Sequence, residues 1–198
     1  WFKELDAKED KDQWIFITCN GGDTKILLPF FKMLVDIAMT NLIEIGINHD
    51  RRVWFVFDEL AKLKYIPSLQ ENIALLRKYG GCVLVATQSL NQILNYYGRE
   101  MGAVMLGQFN TSIVFRIIEV NEARIVARRV GEIEFLMHQK NTSYGASEYR
   151  DGVSYSEVER KKELVSVNDF ANLNTLEAFV FLPDPNVTIS KVQFKLAK

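Results

Sequence analysis

Two cysteines, two histidines and four prolines are all that 198 residues contain of these types. Cys19 and Cys82 each end or open an apolar, strand-like run, and no CxxC occurs. That excludes a disulfide framework; two buried free thiols in a reducing compartment are expected. His49 and His138 lie far apart in sequence, so both read as structural or solvent-facing. The formal net charge is −1, so bulk charge does not announce a nucleic-acid binder. No signal peptide is visible. The most hydrophobic helix candidate, 26–45, is interrupted by Pro29, Lys32, Asp36, Asn41 and Glu44. It reads as a buried helix rather than a membrane span, and the chain as cytosolic. The sequence opens on Trp1 rather than Met and reads as a piece of a longer polypeptide.

What the chain does have is ordinary for a globular protein: 48% hydrophobic and 25% charged residues, enough for one core. Its most informative stretch is Arg51-Arg52-Val53-Trp54-Phe55-Val56-Phe57-Asp58-Glu59-Leu60. A short apolar, β-prone run reads as a buried strand of a parallel sheet. Two acids at its C-terminal tip sit where open α/β sheets place their ligands. This is the layout of a Walker B strand. In that reading Asp58 helps hold Mg²⁺, through water, and Glu59 orients or activates the attacking water. The plainer reading is a polar loop start after a strand.

Along the chain, 14–20 reads as a strand, 21–24 as a turn and the following segment as a long helix to about Ile45. Pro29 suits a first turn and Gly46 a stop. The Walker B strand covers 53–58. Ser68-Leu69-Gln70-Glu71 has the form of a capping box opening a helix that runs to Lys78, with Gly80-Gly81 ending it. Residues 82–86 form the next buried strand, Thr87-Gln88 its tip, and Ser89 caps another helix. Residues 110–116 read as a fourth strand. Ala123, Val126, Ala127 and Val130 share a helical face before Gly131. This β-α-β-α-β-α-β-α order argues an α/β fold with a mainly parallel sheet and helices on both faces. The polar region 132–164 reads as an exposed loop or hairpin. A short helix capped by Ser166 follows. Strands at 177–182 and 188–194, joined through Pro183-Asp184-Pro185-Asn186, form an edge hairpin. The whole, 1–198, is expected to be a single domain.

Two further residues are placed where an oligomeric ATPase needs them. Gln88, at the tip of the strand after Walker B, suits a sensor of the γ-phosphate; it also suits a loop start at a helix cap. Arg77, near the end of the intervening helix, suits an arginine finger reaching a neighbouring subunit's nucleotide. It also suits a helix-end cation complementing the dipole, with Lys78 beside it. The third feature is an absence: no G-x-x-x-x-G-K-[ST] occurs. Gly21-Gly22-Asp23-Thr24-Lys25 has the wrong spacing and order for a phosphate cradle. An ATPase containing this chain needs a P-loop upstream of Trp1, and the chain alone is not expected to turn over ATP. The basic clusters Arg51-Arg52, Arg128-Arg129 and Arg160-Lys161-Lys162 are flanked by acids and read as solvated faces, with DNA contact the more weakly signalled alternative.

Several stretches together resemble one family. They are Arg51–Leu60, Pro67-Ser-Leu, Arg77–Cys82, Thr87-Gln-Ser-Leu-Asn-Gln-Ile, Tyr97-Gly98, Phe109-Asn110-Thr111 and Gly131-Glu132. Ser143-Tyr-Gly-Ala146, Arg150-Asp-Gly-Val-Ser154, Glu159-Arg160 and Leu164-Val-Ser166 continue the likeness, which starts at Trp14-Ile-Phe-Ile and Leu28-Pro29 and spans nearly the whole chain. The sequence resembles the TraD-type coupling proteins of conjugative type IV secretion systems. The Ser-Tyr-Gly-Ala and Arg-Asp-Gly-Val-Ser pair is more specific than Walker B alone.

The resemblance implies a RecA-like P-loop NTPase fold, of which this chain is the C-terminal part with the P-loop portion missing. It implies ATP and Mg²⁺ as ligands, with Asp58 and Glu59 in the Walker B roles, Arg77 as arginine finger and Gln88 as sensor. It implies a hexamer on the cytoplasmic face of the bacterial inner membrane, held by an N-terminal anchor outside this chain. The implied partners are relaxase–DNA and the components of the secretion channel. Two other readings stay open: a FtsK/HerA-like hexameric DNA translocase, and a non-catalytic docking module that kept the fold.

Overall fold

The computed structural model describes residues 13–19, 22–144, 151–183 and 189–196, with only the backbone of 135–144 and 151–160. The chain divides into two compact units, Trp1–Phe109 and Asn110–Lys198.

In the first unit, helix α1 (Thr24–Glu44) leads to strand β1 (Val53–Phe57). Helices α2 (Leu60–Leu63) and α3 (Pro67–Leu76) and a 3-10 turn at Arg77–Tyr79 lead to strand β2 (Gly81–Val85). Helices α4 (Leu90–Tyr97) and α5 (Arg99–Gly107) close the unit. β1 and β2 pair in parallel, from Val53 opposite Gly81 to Phe57 opposite Val85. The strand period of two explains the burial: Val53 and Phe57 face the helices, whereas Trp54, Val56 and Leu84 on the opposite face are exposed. Met39, Leu42, Leu60, Ile66, Leu69, Leu76 and Ile93 are fully buried in a core between the sheet and the helices.

Several expectations for this unit change. Residues 14–19 form no strand, and Trp14 and Phe16 are 68% and 81% exposed. Their rings stack at 6.0 Å, as residues two apart on one side of a run do, but a strand needs a pairing edge and none of the described residues offers one to this run. Asn20 and Gly21 lie outside the described residues. Helix α1 is long and apolar enough to cross a membrane by length and composition alone, a property that core helices share. The expected burial of this helix is confined to one edge. Only Met39 and Leu42 are fully enclosed, and Ile26, Phe30, Met33 and Ile37, spaced along one helical face, are exposed. Pro29 falls inside the helix rather than in its first turn, so it removes one backbone donor there. Both cysteines are free as expected, but neither is buried: Cys19 is exposed and Cys82 half-buried.

The Ser68 capping box is not made. Pro67 occupies the first helical turn, so Ile66 is the N-cap, and the Ser68 hydroxyl instead donates to Asp36 Oδ1 across to α1. Arg51 is not on a solvated face: it is 8% exposed, and its Nη1 donates to Gly46 O at 3.0 Å and Tyr79 O at 3.2 Å. One guanidinium thus ties the end of α1 to the turn before β2. Tyr97, also buried, accepts the Ile66 N–H on its hydroxyl at 3.2 Å, and burial pushes its pKa up to about 12.

In the second unit, strand β3 (Ser112–Val114) is followed by helix α6 (Val120–Val130). The expected face of α6 is buried at Ala123, Val126 and Ala127. Its N-cap, Glu119, accepts from the amides of Asn121 and Glu122. In region 132–164, expected as an exposed loop or hairpin, the described residues form an antiparallel ribbon of β4 (Glu132–Tyr144) and β5 (Asp151–Glu163). The basic cluster at its base is partly paired, Lys161 Nζ lying 3.0 Å from Glu134 Oε1. Helix α7 (Val167–Ala171) is capped by Ser166 as expected, and Asp169 completes a reciprocal capping box. Hydrogen bonds from the Ser166 side chain and amide hold the Asp169 carboxyl below its ordinary pKa. Strands β6 (Glu177–Phe181) and β7 (Ile189–Gln193) form the expected edge hairpin in the order β3-β6-β7. Here β3 runs antiparallel to β6 rather than joining the parallel pair, because an apolar run marks a buried strand without encoding its direction. Ala146, Arg150 and the 184–186 turn lie outside the described residues.

Candidate functional site at the β1 and β2 tips

The C-terminal ends of β1 and β2 are tied together by backbone. Ala86 N donates to Phe57 O at 2.8 Å, and Leu60 N to Ala86 O at 3.0 Å. These bonds extend the parallel ladder one step and force the chain to turn into α2 directly after Asp58-Glu59. The two acids therefore emerge at the strand tip rather than within a loop. Asp58 is exposed and Glu59 half-buried.

Glu59 is held by both carboxylate oxygens. Thr87 Oγ1 donates to Oε1 at 3.1 Å, and Gln88 N donates to Oε2 at 3.3 Å. Each oxygen keeps a second lone pair, so the carboxylate is fixed yet can accept a proton from water. The structure thus brings Asp58, Glu59 and Gln88 to one tip, with the Gln88 side chain exposed. The sequence reading missed Thr87. A Thr directly after an apolar strand, opposite an acid on its neighbour, is the signal that was there to find.

Arg77 lies at the opposite end of the sheet. It opens the 3-10 turn before β2 and is exposed. β2 is five residues long, so Arg77 stands roughly 15 Å from the acids along the strand. Within one chain it does not complete the site.

Among the described residues no group of three or more His, Cys, Asp or Glu side chains is placed to hold a metal ion. A single exposed carboxylate suits Mg²⁺, which keeps several waters and takes further ligands from phosphate oxygens rather than from an all-protein cage.

The model of the type IV secretion-system coupling protein DNA-binding domain matches residues 1–195. The chain belongs to that family. It is 36% identical to the coupling protein TraD of Escherichia coli over 93% of its own length, which is 26% of TraD. It is 26% identical to the coupling protein VirD4 of Bartonella henselae over 59% of the chain and 18% of VirD4. The chain spans about a quarter of the length of TraD. Among solved structures, the conjugative coupling protein TrwB in a trigonal form with sulphate superposes with a TM-score of 0.77, covering 100% of this chain and 43% of TrwB at 22% identity. TrwB with ADP and Mg²⁺ gives 0.73, over 92% of this chain and 40% of TrwB, at 24% identity. These likenesses bear out the RecA-like α/β fold.

Proposed function

We propose that this chain is the C-terminal part of the nucleotide-binding domain of a coupling ATPase that recruits relaxase-bound DNA and drives its transfer into a type IV secretion channel. The observation that carries the reading is the doubly anchored Glu59 at the β1 tip, beside exposed Asp58 and Gln88. The family model, described as a DNA-binding domain, supports a DNA substrate. TrwB with ADP and Mg²⁺ supports the ligand class.

The geometry supports the following roles. Glu59, fixed and half-buried, orients a water for attack on the γ-phosphate and accepts its proton. Asp58 would hold Mg²⁺ through water, and the ion supplies neutralising charge on the phosphate oxygens. Gln88 shares the turn that anchors Glu59, so a side chain touching the γ-phosphate there acts on the base through a single residue step. Arg77 stands at the far end of the strands, out of reach of its own site, which fits a finger offered to a neighbouring subunit in a head-to-tail hexamer. The P-loop comes from the remainder of the complete protein, which is anchored at the cytoplasmic face of the inner membrane.

The test is conjugative transfer. In the complete coupling protein, Glu59→Gln should remove DNA transfer while the protein still accumulates and still binds its relaxase. Transfer at the wild-type frequency would overturn the assignment.

A further inference from the structure

We infer that Thr87 is the positioning residue for Glu59, and that its hydroxyl is the element through which the nucleotide-sensing turn sets the state of the catalytic base. The inference rests on the reading of Glu59 given above. Thr87 Oγ1 lies 3.1 Å from Glu59 Oε1 and also 3.1 Å from Ser89 O. A hydroxyl has one proton, so it serves one of these acceptors at a time. When it donates to Glu59, the carboxylate is held from both sides, by Thr87 Oγ1 and by Gln88 N at 3.3 Å. When it donates to Ser89 O, the 87–89 turn closes on itself and Glu59 keeps only the Gln88 amide. The Ser89 amide, 3.4 Å from Thr87 Oγ1, donates to that oxygen in either state.

Gln88 links Thr87 to Ser89 in the chain, and its own amide donates to Glu59. A movement of its exposed side chain turns the backbone of Thr87 and Ser89 together, and so changes which acceptor the hydroxyl faces. The turn is rigidly set on one side, because the preceding residue, Ala86, is in the backbone ladder to Phe57 and Leu60. The freedom is confined to residues 87–89, of which Thr87 and Gln88 touch Glu59.

Three variants of the complete coupling protein test this, with the rate of ATP hydrolysis and KM for ATP measured for each. Thr87→Val keeps the shape and removes the hydroxyl. It should lower kcat roughly tenfold to a hundredfold, the scale for a reacting group held out of place, with KM for ATP changed less than about twofold. Thr87→Ser restores the hydroxyl and should recover most of the rate, which a purely packing role of the Thr methyl would not. Glu59→Gln separates the two claims. If Glu59→Gln abolishes hydrolysis and Thr87→Val leaves kcat unchanged, the positioning role is wrong and the reading of Glu59 stands. If Glu59→Gln itself hydrolyses at the wild-type rate, both fall. A Thr87→Val defect that Thr87→Ser does not rescue, or one that appears in KM alone, also overturns the positioning role.

Discussion

Gly80 is where the packing account is most exposed to refutation. It stands at φ +79, and a Cβ added there falls 2.5 Å from Arg51 O and 2.7 Å from Arg51 Cβ. Left-handed backbone costs an alanine about 1–2 kcal/mol, of which the reduced freedom of the unfolded chain returns about 0.4–1 kcal/mol. The crowding is against backbone, so it is relieved only by moving the start of β1. That movement threatens the 2.8 Å bond from Val53 N to Gly80 O, a further ~0.5–1.5 kcal/mol. Gly80→Ala should therefore lower stability by about 2 kcal/mol. Two other glycines separate the contributions. Gly46 has φ +96 and nothing within 4 Å of an added Cβ, so Gly46→Ala carries the backbone penalty alone, about 1 kcal/mol. Gly107 ends helix α5 in open space, with no left-handed φ, so Gly107→Ala should be neutral or stabilising by up to ~1 kcal/mol. Urea denaturation should rank the midpoints Gly80→Ala lowest, then Gly46→Ala, then wild type, with Gly107→Ala at or above it. Equal midpoints for Gly80→Ala and Gly46→Ala would show that the approach of Arg51 to Gly80 carries no energy.

The remaining expectations concern Arg77 and Tyr97. In the complete protein, Arg77→Ala should abolish hydrolysis with ATP affinity nearly unchanged, and mixing it with Glu59→Gln should restore part of the activity, because some subunit boundaries then hold one intact Arg77 and one intact Glu59. Wild-type turnover by Arg77→Ala would assign that residue to the helix end. Tyr97→Phe leaves the buried Ile66 amide without its partner and should cost about 1–3 kcal/mol in the same denaturation assay. Tyr97 also gives an alkaline signature. The unfolded chain releases this proton near 10, the folded protein near about 12, so stability is full below 10 and declines as pH rises through 12. That decline should be smaller in Tyr97→Phe.

The parts of the fold that were legible in the sequence are those whose signal is local and whose partner lies in the same chain. β1 and β2 read correctly because a five-residue apolar run bounded by polar residues has few other solutions, and each is the other's partner. The edge hairpin and the Ser166 cap read correctly for the same reason. The 14–20 run carried an equally good strand signal, but propensity only permits pairing, and none of the described residues pairs with it. The Ser68 motif failed because a proline at the next position upstream moved the helix start by two residues. Arg51 was hidden because a buried guanidinium bonded to two carbonyls looks, in sequence, like any surface arginine. At the site, the acids were legible from their place after the strand. Thr87 was not, since its role depends on two strand tips lying side by side.

The central claim is that the β1 tip is the hydrolytic half of a nucleotide site. The most direct measurement is ATP binding and ATP hydrolysis by the complete coupling protein carrying Glu59→Gln, made side by side with wild type. ATP should bind with near wild-type affinity while hydrolysis falls by about 10²-fold or more, the scale of a lost general base. Hydrolysis at the wild-type rate would contradict it, and would leave Glu59 as a structural tie between two strand ends.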